Sequence, residues 1–132
     1  MHHSTELTML TLAVALGIVH LVFSATFIVA GRGVAHAVGP RDEPPPASIG
    51  RLAARFERAF RNYLETFAFF AVSVLVVTAL GRSTPNSAIG AQMYLWARVL
   101  YVPAYISGIP FLRTICWTAS MIGILMVLTA CW

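Results

Sequence analysis

The stretch "RFERAFRNYLETFAFFAV", Arg55–Val72, runs from crowded arginines straight into apolar sequence. Within it Arg58, Arg61, Asn62 and Glu65 follow the spacing i, i+3, i+4, i+7, which puts all four on one face of a helix. Glu65 falls about one turn inside the apolar run. An ionised carboxylate facing lipid at that depth costs on the order of 3 kcal/mol. The stretch therefore reads as a membrane helix whose polar stripe is turned toward protein, with Glu65 paired to a cation.

The rest of the chain agrees with a membrane reading. Of its 132 residues, 58% are hydrophobic and only 11% charged, and the mean hydropathy is +0.77. A soluble domain of this length needs more polar surface to stay dissolved. The expected fold class is all-α and integral to the membrane, a four-transmembrane-helix bundle in a single domain covering 1–132. Four segments, at about 7–30, 49–80, 89–109 and 114–132, are long enough to cross some 30 Å of hydrocarbon. The opening "MHHSTE" lacks a positive n-region, so the first segment reads as a retained helix and not a signal peptide.

The connections set the topology. "GRGVAHAVGPRDEPPPASIG" breaks the helix with Gly-Pro and Pro-Pro-Pro, and helical pattern resumes near Ile49. "GRSTPNSA" is a short turn-rich loop, and "SGIP" at 107–110 permits only a tight reversal, making the last two helices antiparallel neighbours. Arg32, Arg41, Arg51, Arg55, Arg58 and Arg61 gather on the first connection and the start of the second helix, with Arg113 after the third, whereas the second connection holds only Arg82. By the positive-inside rule the first and third connections are cytoplasmic and both termini lie on the non-cytoplasmic side. All nine basic residues are arginine, which fits a GC-rich coding sequence and a bacterial inner membrane. The net charge of +4 serves topology and anion binding at the membrane surface, not nucleic acid.

Other residues carry less. Cys116 and Cys131 stand fifteen residues apart on one helix, roughly 22 Å, so one chain cannot bridge them. The histidines show no metal-ligand spacing, and no metal is expected. Tyr63, Tyr94, Trp96, Trp117 and Trp132 read as interfacial aromatics, and Arg51 and Arg55 as snorkelling topology signals. Pro103 is expected to kink the third helix near Val99, either as packing geometry or to open a pocket beside Tyr101 and Tyr105.

In "WARVLYVPAY", Arg98, Tyr101 and Tyr105 form a second polar stripe at i, i+3, i+7. A guanidinium buried in a membrane helix needs a partner, and Glu65 is the acid at matching depth. Arg113 opens the fourth helix level with Arg58 and Arg61. The sum is a cytoplasm-facing polar pocket with an arginine excess, suited to a ligand with more than one carboxylate and an apolar co-substrate from the membrane.

"ERAFRNYLETFAFF" resembles the second-helix signature of the MAPEG family, the membrane-associated proteins of eicosanoid and glutathione metabolism. "ARVLYVPAYISGIPFLRTICW" is similar to that family's third-to-fourth helix region. The resemblance covers roughly Arg51 to Trp117 and implies a homotrimer with glutathione sites between subunits. It implies that Arg58, Arg61, Asn62 and Glu65 hold the carboxylates and backbone of glutathione, with Arg98, Tyr101 and Tyr105 lining the site. Arg113 matches the arginine that stabilises the glutathione thiolate, and Arg32 a further contacting arginine; Tyr101 is the alternative hydrogen-bond donor to sulfur. The interval from Tyr105 to Arg113 differs by a residue from eicosanoid-forming members, which rotates Arg113 off target. Thr114 and Trp117 replace the serine and tyrosine of the prostaglandin-forming branch. The implied activity is a glutathione-dependent transferase or peroxidase acting on lipophilic electrophiles or lipid hydroperoxides. Its rivals are a non-catalytic lipid-binding or scaffold protein of the same fold, and a small proton-coupled exporter. The exporter wants an embedded carboxylate in the first helix, where only Glu6 occurs, at the outer end.

Overall fold

The computed structural model describes residues 4–34, 38–39 and 51–132. They form four long helices: α1 (Thr5–Arg32), α2 (Arg51–Ala79), α3 (Pro85–Ser107) and α4 (Pro110–Thr129). The expected helix start near Ile49 and the proline-rich part of the first connection, with Arg41, lie outside the described residues. α1, α2 and α4 are each long and apolar enough to cross a membrane. α3 falls outside that set, diluted along its length by Gln92, Arg98 and three tyrosines.

Local chemistry fixes the ends. The Ser4 hydroxyl accepts from the Leu7 N–H at 3.3 Å, capping α1. α3 begins four residues earlier than its apolar pattern suggests, because Thr84 and Ser87 form a reciprocal capping box. Pro85 follows in the first turn, where a missing N–H costs nothing. Gly108, at φ +78°, takes the left-handed conformation that ends α3. Pro110 then opens α4, earlier than the expected 114, so the reversal occupies two residues.

Contacts between helices give an up-and-down bundle. Buried Glu6 near the start of α1 accepts a hydrogen bond from the Ser87 hydroxyl at 2.5 Å, docking α1 onto the start of α3. The Tyr63 hydroxyl donates to the Ala13 carbonyl, joining α2 to α1. Further along, Phe27 stacks on Phe56 with centroids 4.7 Å apart. Phe70 and Tyr94 stack at 3.9 Å in the core between α2 and α3. Tyr63 and Tyr94, expected to be interfacial aromatics, are instead buried in the bundle. Each fills space that a smaller side chain would leave void.

α3 and α4 are the tightest pair, through glycines. A Cβ on Gly90 would lie 2.7 Å from the Met126 Cβ and 2.8 Å from the Gly123 carbonyl oxygen, and one on Gly123 would lie 2.6 Å from the Gly90 carbonyl oxygen. Small residues let membrane helices approach backbone to backbone, where dispersion replaces the absent hydrophobic drive.

Candidate functional site

A cavity of about 460 Å³ opens between α2, α3 and α4, lined by Arg58, Asn62, Tyr101, Tyr105, Arg113, Thr114 and Trp117. Five of the nine site residues expected from the sequence line it. None of the residues lining it is acidic, so the cavity carries a cationic excess. A smaller chamber of about 220 Å³ adjoins it through Arg58, Tyr105 and Arg113, and adds Arg55.

Tyr105 organises the arginines. Its hydroxyl accepts from the Arg58 Nε at 3.1 Å, and the Arg113 guanidinium lies over its ring, 5.3 Å from the centroid. A phenol can do both because its oxygen accepts in the ring plane while its face carries negative quadrupole. Arg113 therefore reaches the cavity despite the altered interval after Tyr105. The Gly108 reversal and Pro110 start of α4 place it there. Tyr101 is buried beneath, its centroid 5.6 Å from that of Tyr105.

Arg98 lies behind the lining, against Asn62 and Tyr101. It is 1% exposed, donating from Nη1 to the Asn62 Oδ1 at 2.8 Å and from Nη2 to the Ser120 hydroxyl at 2.7 Å. The faces of Tyr101 and Tyr94 lie 5.1 and 5.7 Å from its guanidinium carbon. The expected Arg98–Glu65 pair is not formed: Glu65 is exposed on the outer face of α2. The physical reason lies in helix angles. At 100° per residue the Arg58–Arg61–Asn62–Glu65 stripe covers about 100° of circumference. Its Arg58–Asn62 edge is turned toward α3 and α4, while its Arg61–Glu65 edge is turned out. Arg61 is likewise exposed. Arg32 ends α1, and its side chain lies outside the described residues.

Two contributors escaped the sequence reading. Arg55, read there as a topology signal, donates to the Ile106 carbonyl at 2.7 Å and packs its guanidinium against Gly108, gripping the last turn of α3. Ser120 was unremarked, although Arg113, Cys116 and Ser120 share one helix face at i, i+3, i+7. Trp117, read as interfacial, lines the cavity. Pro103 does not open the space beside Tyr101 and Tyr105; it faces the other side of α3, among Val99 and Val102.

A profile of the MAPEG family matches residues 9–132. The chain belongs to the MAPEG family. Searches of curated proteins and of solved structures returned no match. The match extends through α1, beyond the Arg51–Trp117 region that carried the resemblance. With three apolar helices of spanning length, it makes this a MAPEG membrane protein. Membership points to glutathione- or eicosanoid-related transferase chemistry or a related function. Carboxylates of a peptide thiol suit a MAPEG cavity rich in arginine, since guanidinium forks bind them bidentately.

Proposed function

We propose that this MAPEG protein is a membrane-embedded transferase or peroxidase that uses glutathione as co-substrate against lipophilic electrophiles or lipid hydroperoxides. The observation that supports it best is the cationic cavity in which Arg58 and Arg113 both address Tyr105. Arg58, Arg55 and Asn62 would hold carboxylates and backbone, leaving Arg113 or the Tyr101 hydroxyl to meet the sulfur. A free thiol has a pKa of about 8.5, so little of it is thiolate at neutral pH. A guanidinium beside the sulfur favours the anion, each unit of lowering being worth about 1.4 kcal/mol. The thiolate then forms an S–C bond with the electrophile, whose leaving group departs with its electron pair. With a hydroperoxide, sulfur attacks the terminal oxygen and the O–O bond breaks. The alkoxide takes up a proton, and a second thiol converts the resulting sulfenic acid to disulfide and water.

The exposed Arg61–Glu65 edge of α2 favours assembly. A carboxylate left to acyl chains costs on the order of 3 kcal/mol, so a second protomer covers that edge, and the reading takes the form of a homotrimer with Arg61, Glu65 and Arg32 completing sites between copies. α3 serves as a fourth span. The arginine-rich end faces the cytoplasm of a bacterial inner membrane, with both termini on the other side. The chain is one domain. The test is turnover of detergent-purified protein with glutathione and an aryl halide or an organic hydroperoxide. Activity above the uncatalysed rate that falls at least tenfold in Arg113→Ala, with glutathione binding retained, supports the reading. Unchanged turnover in that variant removes Arg113 from it. No turnover with either substrate favours the non-catalytic lipid-binding alternative.

A further inference from the structure

Across α3 from the arginine cavity lies a second one of about 320 Å³, bounded by α1, α2 and α3. Its size is within the ~300–1,000 Å³ range of small-molecule sites. Leu16, Val19, Phe23, Val99, Val102 and Pro103 give it apolar walls, and His20 is the one polar side chain on them. His20 is 4% exposed, and neither ring nitrogen has a hydrogen-bond partner among the described residues.

The surroundings of that imidazole narrow what can satisfy it. Its ring packs edge-to-face against Phe60 and Tyr63, with centroids 5.3 and 6.0 Å away. An aromatic face can receive an N–H weakly, but it offers nothing to the lone pair on the other nitrogen. The neighbouring Tyr63 hydroxyl proton is already committed to the Ala13 carbonyl. Pro103, on the same wall, has no N–H to give the Val99 carbonyl one turn back. The cavity thus holds an imidazole whose ring nitrogens have no hydrogen-bond partner among the described residues, inside walls that reject charge.

We infer that this cavity binds a lipid-soluble alcohol, its hydroxyl donating to His20 and its hydrocarbon body lying against the α1 and α3 walls. A hydroxyl is a small neutral group that both donates and accepts, so either imidazole tautomer is served, and it costs less to bring into an apolar cavity than the larger polar surface of an amide. A charged headgroup would enter without a countercharge, and a plain hydrocarbon would leave the imidazole as it is. The site is separate from the thiol chemistry and stands whether or not that chemistry occurs.

The test uses the full-length protein in lipid vesicles with two photoreactive probes, a diazirine-bearing hexadecanol and the matching diazirine-bearing hexadecane. Labelled residues are located by peptide mass spectrometry. The expected result is labelling of cavity residues such as Val99 and Val102, with the alcohol exceeding the alkane about fivefold, the worth of one net hydrogen bond. That excess disappears in His20→Leu, while the alkane signal stays. Val99→Trp, which fills the cavity without touching His20's backbone, loses labelling by both probes. Equal labelling by alcohol and alkane in the natural protein overturns the inference. So does an alcohol excess that survives His20→Leu, or labelling confined to the lipid-facing surface.

Discussion

The two cavities flanking α3 are built by opposite rules. On one side Arg98 is buried and met at almost every turn: Asn62 and Ser120 accept its hydrogen bonds and two tyrosine faces cover it. That network lies behind Asn62 and Tyr101, while Arg58 and Arg113, both held by Tyr105, line the cavity above it. On the other side His20 is also buried, yet no hydrogen-bond partner among the described residues answers it. Arg98 keeps one buried nitrogen, Nε, without a hydrogen-bond partner among the described residues, whereas both nitrogens of His20 lack one. A polar group bonded at most of its atoms helps specify a structure, and one left wholly unanswered waits for something else. The polar cavity is also lined by α4, through Arg113, Thr114 and Trp117, whereas among the described residues the apolar one is lined by α1, α2 and α3 alone.

This contrast can be broken experimentally. Arg98→Ala is expected to have the largest effect, destabilising the protein by about 3 kcal/mol through lost packing and stranded hydrogen-bonding partners. Unfolding in detergent followed by circular dichroism measures it. Gly123→Ala should cost about 2 kcal/mol by forcing the α3 and α4 backbones apart. Its loss of glutathione affinity, with the His20 cavity still labelled, would show that the two sides have separate foundations.

How much of this was legible beforehand follows from what sequence encodes. Helix content, the polar stripes and most cavity residues are matters of periodicity, and Arg58, Asn62, Tyr101, Tyr105 and Arg113 were recognisable from spacing and resemblance together. The partner of Arg98 was not, because Asn62 and Glu65 are separated by only about 60° on α2. Choosing between them needs the rotation of that helix, which packing against α1 and α3 decides. Arg55 was misread for a related reason: a snorkelling arginine and one clamping a carbonyl look alike until the α3 end is in place. His20 carried no signal at all, since an unanswered imidazole is defined by what is missing around it.

Smaller effects sharpen the comparison. Tyr105→Phe keeps the ring under Arg113 but removes the acceptor for Arg58. It should raise the KM for glutathione about threefold with little change in kcat, the scale of one hydrogen bond. His20→Leu should leave the thermal midpoint unchanged or slightly higher, because it removes a buried polar group that forms no bond. A marked loss of stability there would mean the imidazole is answered after all.

The central claim is that the arginine cavity holds a glutathione thiolate. Ultraviolet difference absorbance of glutathione bound to the purified protein at neutral pH tests this directly. The account predicts a thiolate band in the natural protein that is lost in Arg113→Ala while glutathione remains bound. Bound glutathione with no such band, or a band of equal strength in both proteins, would contradict it.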